Sequence, residues 1–329
     1  IKTGTPYTEV CLFVYGMYLN KITMAKILIA TEKPFAKVAV DGIKEVAETA
    51  GLEIVLLEKY TEKAQLLAAV ADVEAMIIRS DKIDNEVFDA AKNLKIVVRA
   101  GAGYDNVDLA AATAHGVVVM NTPGQNSNAV AELVFGMLVF AVRNFYNGKA
   151  GTELKGKKLG ILAYGNVGRR VAHIAKGFDM DVYAYDAYCP AAAIESDGVK
   201  AVSSQDELFE KCEVVSLHIP ATAETRQSIN YALVGKMPKG GVLVNTARKE
   251  VINEPELLKL MQDRTDLKYV TDIMPEADAD FRILEGRYFS TPKKMGAQTA
   301  EANINAGVAA AHQIAAFFKD GCTKYQVNK

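Results

Sequence analysis

The sequence predicts an α/β fold with two doubly wound parallel sheets, one domain inserted into the other. Three observations predict it. Short apolar runs alternate with amphipathic stretches along the chain, as in strand–helix–strand units. A strand–turn–helix signature, Lys158 to Ala172, lies near the middle, so about 130 residues of α/β pattern precede it and need their own sheet. The length, 329 residues, is long for a single hydrophobic core.

In chain order, strands are expected over 25–31, 53–58, 75–78, 95–100 and 117–120, with a helix over 35–50 and helical stretches between the strands. After the signature, strands are expected over 181–185, 214–217, 242–245 and 269–272, which suits one nucleotide-type sheet. A final helix spans 302–319. The economical division gives a discontinuous substrate domain, 24–121 with 302–329, and an inserted dinucleotide domain, 122–301, with the active site expected in the cleft between them. The stretch 129–142, AVAELVFGMLVFAV, is apolar almost all round and reads as a helix buried on every side, serving as core, as subunit interface, or as both. Residues 1–23 differ in character from the remainder of the chain. Their apolar run VCLFVYGMYL is too short to span a bilayer, and they read as a leader or non-native extension.

Half of the residues are apolar and the formal net charge is −2, with charges of both signs scattered. No basic patch points to nucleic acid or an anionic membrane. The four cysteines, Cys11, Cys189, Cys212 and Cys322, have no metal-ligand spacing, and four unclustered histidines make a zinc site improbable. Free thiols in a reducing cytoplasm are expected.

The signature carries the first chemical inference. Leu159 to Ala163 is an apolar strand, followed by a tight turn and an amphipathic helix. Gly165 lets the backbone approach a pyrophosphate, Gly168 lets helix and strand pack closely, and the helix N-terminus favours the phosphate charge. Asp186 ends the next strand, eighteen residues past Gly168. A carboxylate there accepts ribose hydroxyls and repels a 2′-phosphate, which favours NAD over NADP. The first glycine of this Rossmann-type fingerprint is replaced by Ala163.

Other residues suggest the reaction. Arg248 directly follows an apolar strand, in GGVLVNTARKEVI, and its planar fork suits a carboxylate. Asp272 ends the next strand, where it can accept from a nicotinamide carboxamide. Glu276 follows and can tune an acid–base group, or be only a polar loop residue. Moving a hydride off an alcohol requires a base for the hydroxyl proton. Lys293 and Lys294 precede Gly296 in a loop before the last helix, and a lysine serves if desolvation or a neighbouring cation such as Arg248 lowers its proton affinity. In the first domain, Arg79 and Ser80 at a strand end, the loop around Gly101 and Gly103, and Asn126 with Ser127 outline an anion-binding wall, although turns explain the glycines equally well. His218 is expected to pack or line the cofactor rather than catalyse.

These residues, in VVRAGAGYDNVDLAAATAHGVVVMNTPGQNS, LGILAYGNVG, SLHIPATAETRQSIN and NTARKEVI, resemble the D-2-hydroxyacid dehydrogenases from about Met24 to the C-terminus. The nearest likeness is to members that oxidise 3-phosphoglycerate, in a short form without a C-terminal regulatory domain. The resemblance implies two Rossmann-like domains, NAD and a homodimer. It implies Arg248 as the carboxylate arginine, and Asn166, Val167, Asp186, Thr246, Ala247 and Asp272 as cofactor contacts. It also implies a loop carboxylate, placed at Glu276, and an acid–base histidine. Three departures stand out. The histidine position, two before a Gly-Ala pair, holds Lys294, while counting from the proline gives Lys293. Glu276 comes one residue early relative to Asp272. The crossover from Val142 to Lys158 is short, so dimer contacts can differ.

The resulting expectation is NAD-dependent oxidation of 3-phosphoglycerate to 3-phosphohydroxypyruvate, the entry to serine synthesis. Arg248 clamps the carboxylate, Lys294 takes the hydroxyl proton, and Arg79 with one lysine of the pair meets the phosphate. The alternatives are a glyoxylate or hydroxypyruvate reductase and, from another class, a catalytically inactive NAD-binding scaffold.

Overall fold

The computed structural model describes residues 24–329. The stretch 1–23, expected to be a leader, and Cys11 within it lie outside the described residues. The chain divides into two compact units, with breaks between Asn121 and Thr122 and between Ala309 and Ala310.

The first unit holds a five-stranded sheet of β1 (Lys26–Thr31), β2 (Glu53–Glu58), β3 (Ala75–Ile78), β4 (Ile96–Arg99) and β5 (Val118–Asn121), in the order β2-β1-β3-β4-β5. Every pairing is parallel. Inner strands such as β3, AMII, are apolar at every position because both of their faces are buried. Edge strand β2 instead leaves Glu53 and Leu56 exposed. The strands are linked by α1 (Lys37–Thr49), α2 (Lys63–Val70), α3 (Asn85–Ala90) and α4 (Leu109–Ala114). Helix α1 buries Ala39, Val40, Ile43 and Ala47, spaced at three and four as one helix face requires. The C-terminal tail closes the other edge. Asn328 Oδ1 accepts from Val119 N–H (2.9 Å), and its Nδ2 donates to the Val117 carbonyl (2.8 Å), so the open side of β5 is satisfied.

The second unit holds a seven-stranded parallel sheet of β6 (Lys158–Leu162), β7 (Asp181–Tyr185), β8 (Lys200–Ala201), β9 (Val214–Leu217), β10 (Val242–Asn245), β11 (Lys268–Thr271) and β12 (Tyr288–Ser290). Its order is β12-β11-β10-β9-β6-β7-β8, which reverses direction between β6 and β9. In such sheets ligands bind outside the carboxyl ends of the strands at that reversal. The helices of this unit are α5 (Ser127–Val142), α6 (Asn166–Gly177), α7 (Ala191–Glu195), α8 (Gln205–Lys211), α9 (Tyr231–Val234), α10 (Glu254–Asp263) and α11 (Asp278–Arg282). The last helix, α12 (Ala300–Asp320), contains the second unit boundary, which therefore falls within the helix and not before it.

One expectation needs correction. Helix α5 is not buried on every side, because Asn128, Glu132 and Gly136 are exposed. They recur every four residues and form one narrow stripe, while Val134, Leu138 and Ala141 are fully buried on the others. Glycine has no side chain to report its exposure, so the apolar pattern overstated the buried arc. Among the described residues, no helix is long and apolar enough to cross a membrane.

Candidate functional site

The turn after β6 shows why each fingerprint position carries its residue. Ala163 takes φ 77°, a left-handed conformation that glycine adopts without strain. It is held there by its N–H bond to the Tyr185 carbonyl (2.9 Å). Gly165 opens α6, no side chain caps the helix, and a Cβ at Gly165 would meet nothing within 4 Å. The first N–H groups of α6, Asn166 and Val167 among them, thus face space that an anion can occupy. Gly168 has the opposite surroundings. A Cβ there would lie 2.4 Å from the Ala163 carbonyl oxygen and 3.1 Å from Ile161 Cγ2.

Asp186 follows β7 and is fixed by three backbone donors. Its Oδ2 accepts from Tyr164 N–H (2.7 Å), and its Oδ1 accepts from Tyr188 N–H (2.7 Å) and Cys189 N–H (2.8 Å). Burial pushes the carboxyl up, but these donors and the Arg169 charge outweigh it, and the net shift is below the ordinary aspartate range. The group is a fixed anion with acceptor capacity left on Oδ2.

The carboxyl ends of β10 and β11 gather the polar residues. Fully buried Asn245 shapes the loop after β10. Its Oδ1 accepts from Ala247 N–H (2.9 Å), and its Nδ2 donates to the Arg248 carbonyl (3.0 Å). The Ala247 carbonyl accepts from both Arg248 Nη1 (2.9 Å) and Lys294 Nζ (3.0 Å). Asp272, fully buried, accepts from Gly296 N–H on Oδ2 (2.7 Å). Burial raises its pKa, against the Gly296 and Met295 N–H groups and the charges of Lys294 and Arg248. Gly296 is required, because a Cβ there would sit 2.8 Å from Asp272 Oδ2. The structure thus brings Arg248, Lys294, Asp272, Thr246 and Ala247 together. Lys293 and Lys294 are both exposed, and what separates them is bonding: the Lys293 carbonyl accepts from Thr291 Oγ1 (2.7 Å), while Lys294 Nζ reaches Ala247.

Two residues stand apart from this group. Glu276 has an 81% exposed side chain and bonds Lys249 Nζ (2.9 Å), which holds its pKa below the usual glutamate value. His218 shares a 2.9 Å hydrogen bond with Ser216 Oγ, and burial pushes its imidazole down to about 3. It is neutral near pH 7 and suited to lining rather than proton transfer.

In the first unit, Arg79 Nη1 donates to the carbonyls of Lys33 (3.0 Å) and Pro34 (3.1 Å), and its guanidinium lies 5.1 Å from the Phe35 ring centre. Sequence reasoning missed Arg99, the last residue of β4. Its Nε donates to the Arg79 carbonyl (2.9 Å), and a Cβ at Gly101 (φ 149°) would fall 1.5 Å from its Nη1. Gly101 is therefore explained by the guanidinium beside it; the signal was an arginine closing an apolar strand. Ser80 is exposed and Gly103 half-buried in the same unit. Asn126 and Ser127 do not belong to that unit, contrary to expectation. They start α5 in the second unit, where Asn126 makes no side-chain cap and Ser127 Oγ is buried without a partner.

These groups fit an adenine dinucleotide. Thr246 Oγ1 and Asp272 Oδ1 are buried without a hydrogen-bond partner, a costly state that a bound polar group relieves. With the space at Gly165, the uncapped start of α6 and the Asp186 carboxylate, they have the chemistry that a pyrophosphate, ribose hydroxyls and a carboxamide would require.

Comparison with known proteins gives the same answer. Residues 137–288 match the model of the D-isomer specific 2-hydroxyacid dehydrogenase NAD-binding domain. The crystal structure of NAD+-bound 3-phosphoglycerate dehydrogenase from Entamoeba histolytica is 48% identical, with a TM-score of 0.83, over 93% of this chain and 99% of that one. Hydroxypyruvate reductase of Thermotoga maritima is 34% identical over 80% of this chain and 90% of its own length. D-3-phosphoglycerate dehydrogenase of Methanocaldococcus jannaschii is 33% identical over 83% of this chain, which spans 55% of that protein. A parallel sheet reversing between β6 and β9, an anion seat at α6 and a sequence related to these enzymes over most of its length all converge: the chain belongs to the D-isomer-specific 2-hydroxyacid dehydrogenase family and carries its NAD-binding domain.

Proposed function

We propose that the protein oxidises 3-phosphoglycerate to 3-phosphohydroxypyruvate, and runs the reverse reduction, with NAD. The observation that carries this reading is the shared carbonyl of Ala247, which places the ammonium of Lys294 and the guanidinium of Arg248 side by side next to Asp272. NAD, when bound, supplies hydride chemistry at its nicotinamide ring. Thr246, Asp272, Asp186 and the first N–H groups of α6 would hold it. Arg248 binds and orients the substrate carboxylate by its planar fork. Lys294, as the free amine, accepts the proton from the C2 hydroxyl during oxidation and returns it to the keto oxygen during reduction.

Arg79, beside Arg99 at the next strand end of the first unit, is kept as a candidate for the phosphate. Support for the phosphorylated substrate comes from the 48% identical relative; the hydroxypyruvate reductase relative supports an unphosphorylated one. Glu276 keeps the secondary role of charge tuning, through Lys249. The reading extends to a cytoplasmic homodimer, an expectation carried by the family resemblance alone. The test is NADH oxidation with phosphohydroxypyruvate, hydroxypyruvate and glyoxylate. The phosphorylated acid is expected to be preferred, and Lys294→Ala to lose at least about a hundredfold in kcat. Equal rates on plain hydroxypyruvate would overturn the substrate, and near-normal turnover of Lys294→Ala would remove the lysine from the mechanism.

A further inference from the structure

Helix α6 carries a basic face beside the Asp186 turn. A cavity of about 420 Å³ is lined there by Tyr164, Arg169, Arg170, His173, Lys176 and the carboxylate of Asp197. Oδ2 of that carboxylate carries two partners. It pairs with Arg169 Nη1 and accepts from Tyr164 Oη (3.1 Å), while the Asp197 carbonyl accepts from Lys176 Nζ. Arg169 is also held on its other sides. Its guanidinium carbon lies 4.7 Å from the Tyr164 ring centre, and its Nη2 is 3.5 Å from Cys189 Sγ. Tyr164 and Cys189 are two of the three residues whose N–H groups bind Asp186. The residues that hold Arg169 therefore also hold the carboxylate proposed to accept the ribose, and the Arg169 charge acts on that carboxylate.

A site that accepts a 2′-phosphate needs a cation free to pair with it and no carboxylate against it. Here the nearby cation exists, but its charge is already compensated. We propose that Asp197 is a second determinant of the choice of NAD over NADP: a positioning residue that keeps Arg169 paired and turned away from the ribose, so that Asp186 is not the only barrier to a 2′-phosphate. The inference rests on the dinucleotide reading of the second unit. The pair is itself half exposed, with 40% and 42% of the two side chains accessible, so breaking it costs the fold little.

Calorimetric titration of the full chain with 2′,5′-ADP and with 5′-AMP tests this without turnover. In an Asp186→Ser background, adding Asp197→Asn is expected to tighten 2′,5′-ADP binding at least tenfold while leaving 5′-AMP within a few-fold. Adding Arg169→Gln should cancel the gain, and Asp197→Glu, which keeps the pair, should not produce it. Equal 2′,5′-ADP affinity with and without Asp197→Asn, or a gain that survives Arg169→Gln, would overturn the proposal. If Asp197→Asn fails to fold, the Asp197→Glu and Arg169→Gln arms still decide: a gain with Asp197→Glu refutes the clamp, and Arg169→Gln alone must not improve 2′,5′-ADP binding. Failure of the unmutated protein to bind either 5′-AMP or NAD+ would refute the dinucleotide reading instead.

Discussion

Gly165 and Gly168 stand three residues apart, and alanine at each should produce opposite phenotypes. At Gly168 the new Cβ would begin 2.4 Å from the Ala163 carbonyl oxygen. A relaxed carbon–oxygen contact is about 3.3 Å or more, so helix and strand must separate by nearly 1 Å. The obstacle is backbone, which no rotamer change relieves. Overpacking of this kind costs about 1–3 kcal/mol, and the higher helix propensity of alanine returns at most about 1 kcal/mol. The expected net loss is about 2 kcal/mol, or roughly 4–8 °C in the melting of the second unit. At Gly165 the backbone has φ −82°, which alanine adopts freely, and the Cβ meets nothing within 4 Å. Stability should hold or rise by about 0.4–1 kcal/mol, because the unfolded chain loses freedom. Binding should suffer, because the methyl fills the space through which a pyrophosphate reaches the α6 N–H groups. Thermal melts paired with NAD+ titration separate the two. Gly165→Ala should melt normally and bind NAD+ at least tenfold more weakly, and Gly168→Ala should melt early. Normal NAD+ affinity in Gly165→Ala would refute the pyrophosphate seat, and an unchanged melt in Gly168→Ala would refute the close approach of helix and strand.

Burial sets two further outcomes. His218 titrates near 3 when folded and near 6.5 when unfolded, so the unfolded chain binds more protons between those values and stability falls as pH drops from about 6.5 towards 3. The 1.5 pH units down to pH 5 set an upper bound of about 2 kcal/mol, reduced by solvent at the half-buried ring. Urea denaturation at pH 7 and pH 5 should show His218→Gln losing less stability on acidification than the unmutated protein; identical slopes would contradict the neutral ring. Among the described cysteines, burial pushes the Cys212 thiol up to about 12, whereas Cys322 is exposed. Timed alkylation with peptide mapping should label Cys322 first and Cys212 only on unfolding; early labelling of Cys212 would mean that β9 and α8 open readily.

The parallel sheets were legible because their inner strands are buried on both faces and therefore read as mostly apolar runs: VVSL in β9 and VLVN in β10 are buried at every position, including Ser216 and Asn245. The two-residue β8 is too short for any periodicity. Arg248, Asp186 and Asp272 stood out as candidates because each lies within three residues of the carboxyl end of a strand, and a strand end of a doubly wound sheet has a known direction. Lys293 and Lys294 were not separable, since neighbours in a loop share every sequence signal. What distinguishes them is a bond from Lys294 to Ala247, 47 positions away. Arg99 and Asp197 were missed for the same reason, since their partners Arg79, Tyr164 and Arg169 are distant in sequence, whereas Asn245 shapes its own loop and gave no signal beyond one polar residue closing an apolar strand.

Ala163 shows where a fingerprint and its physics part. The missing first glycine looks like a weakness in the sequence, yet the turn keeps the left-handed φ of 77° that a glycine would provide. An alanine in that conformation is strained by about 1–2 kcal/mol. The strain persists because the surroundings leave the turn no other path. The Ala163 N–H is fixed on the Tyr185 carbonyl, the next residue's N–H is fixed on Asp186, and Gly168 closes directly on the Ala163 carbonyl. Two of these three restraints come from the strand end that carries the ribose acceptor. Strand β7 and the following Asp186 thus shape the turn after β6 as well as being proposed to read the ribose, which is why the turn can lose its first glycine and keep its path, but cannot lose Gly168, whose missing Cβ no neighbouring bond replaces.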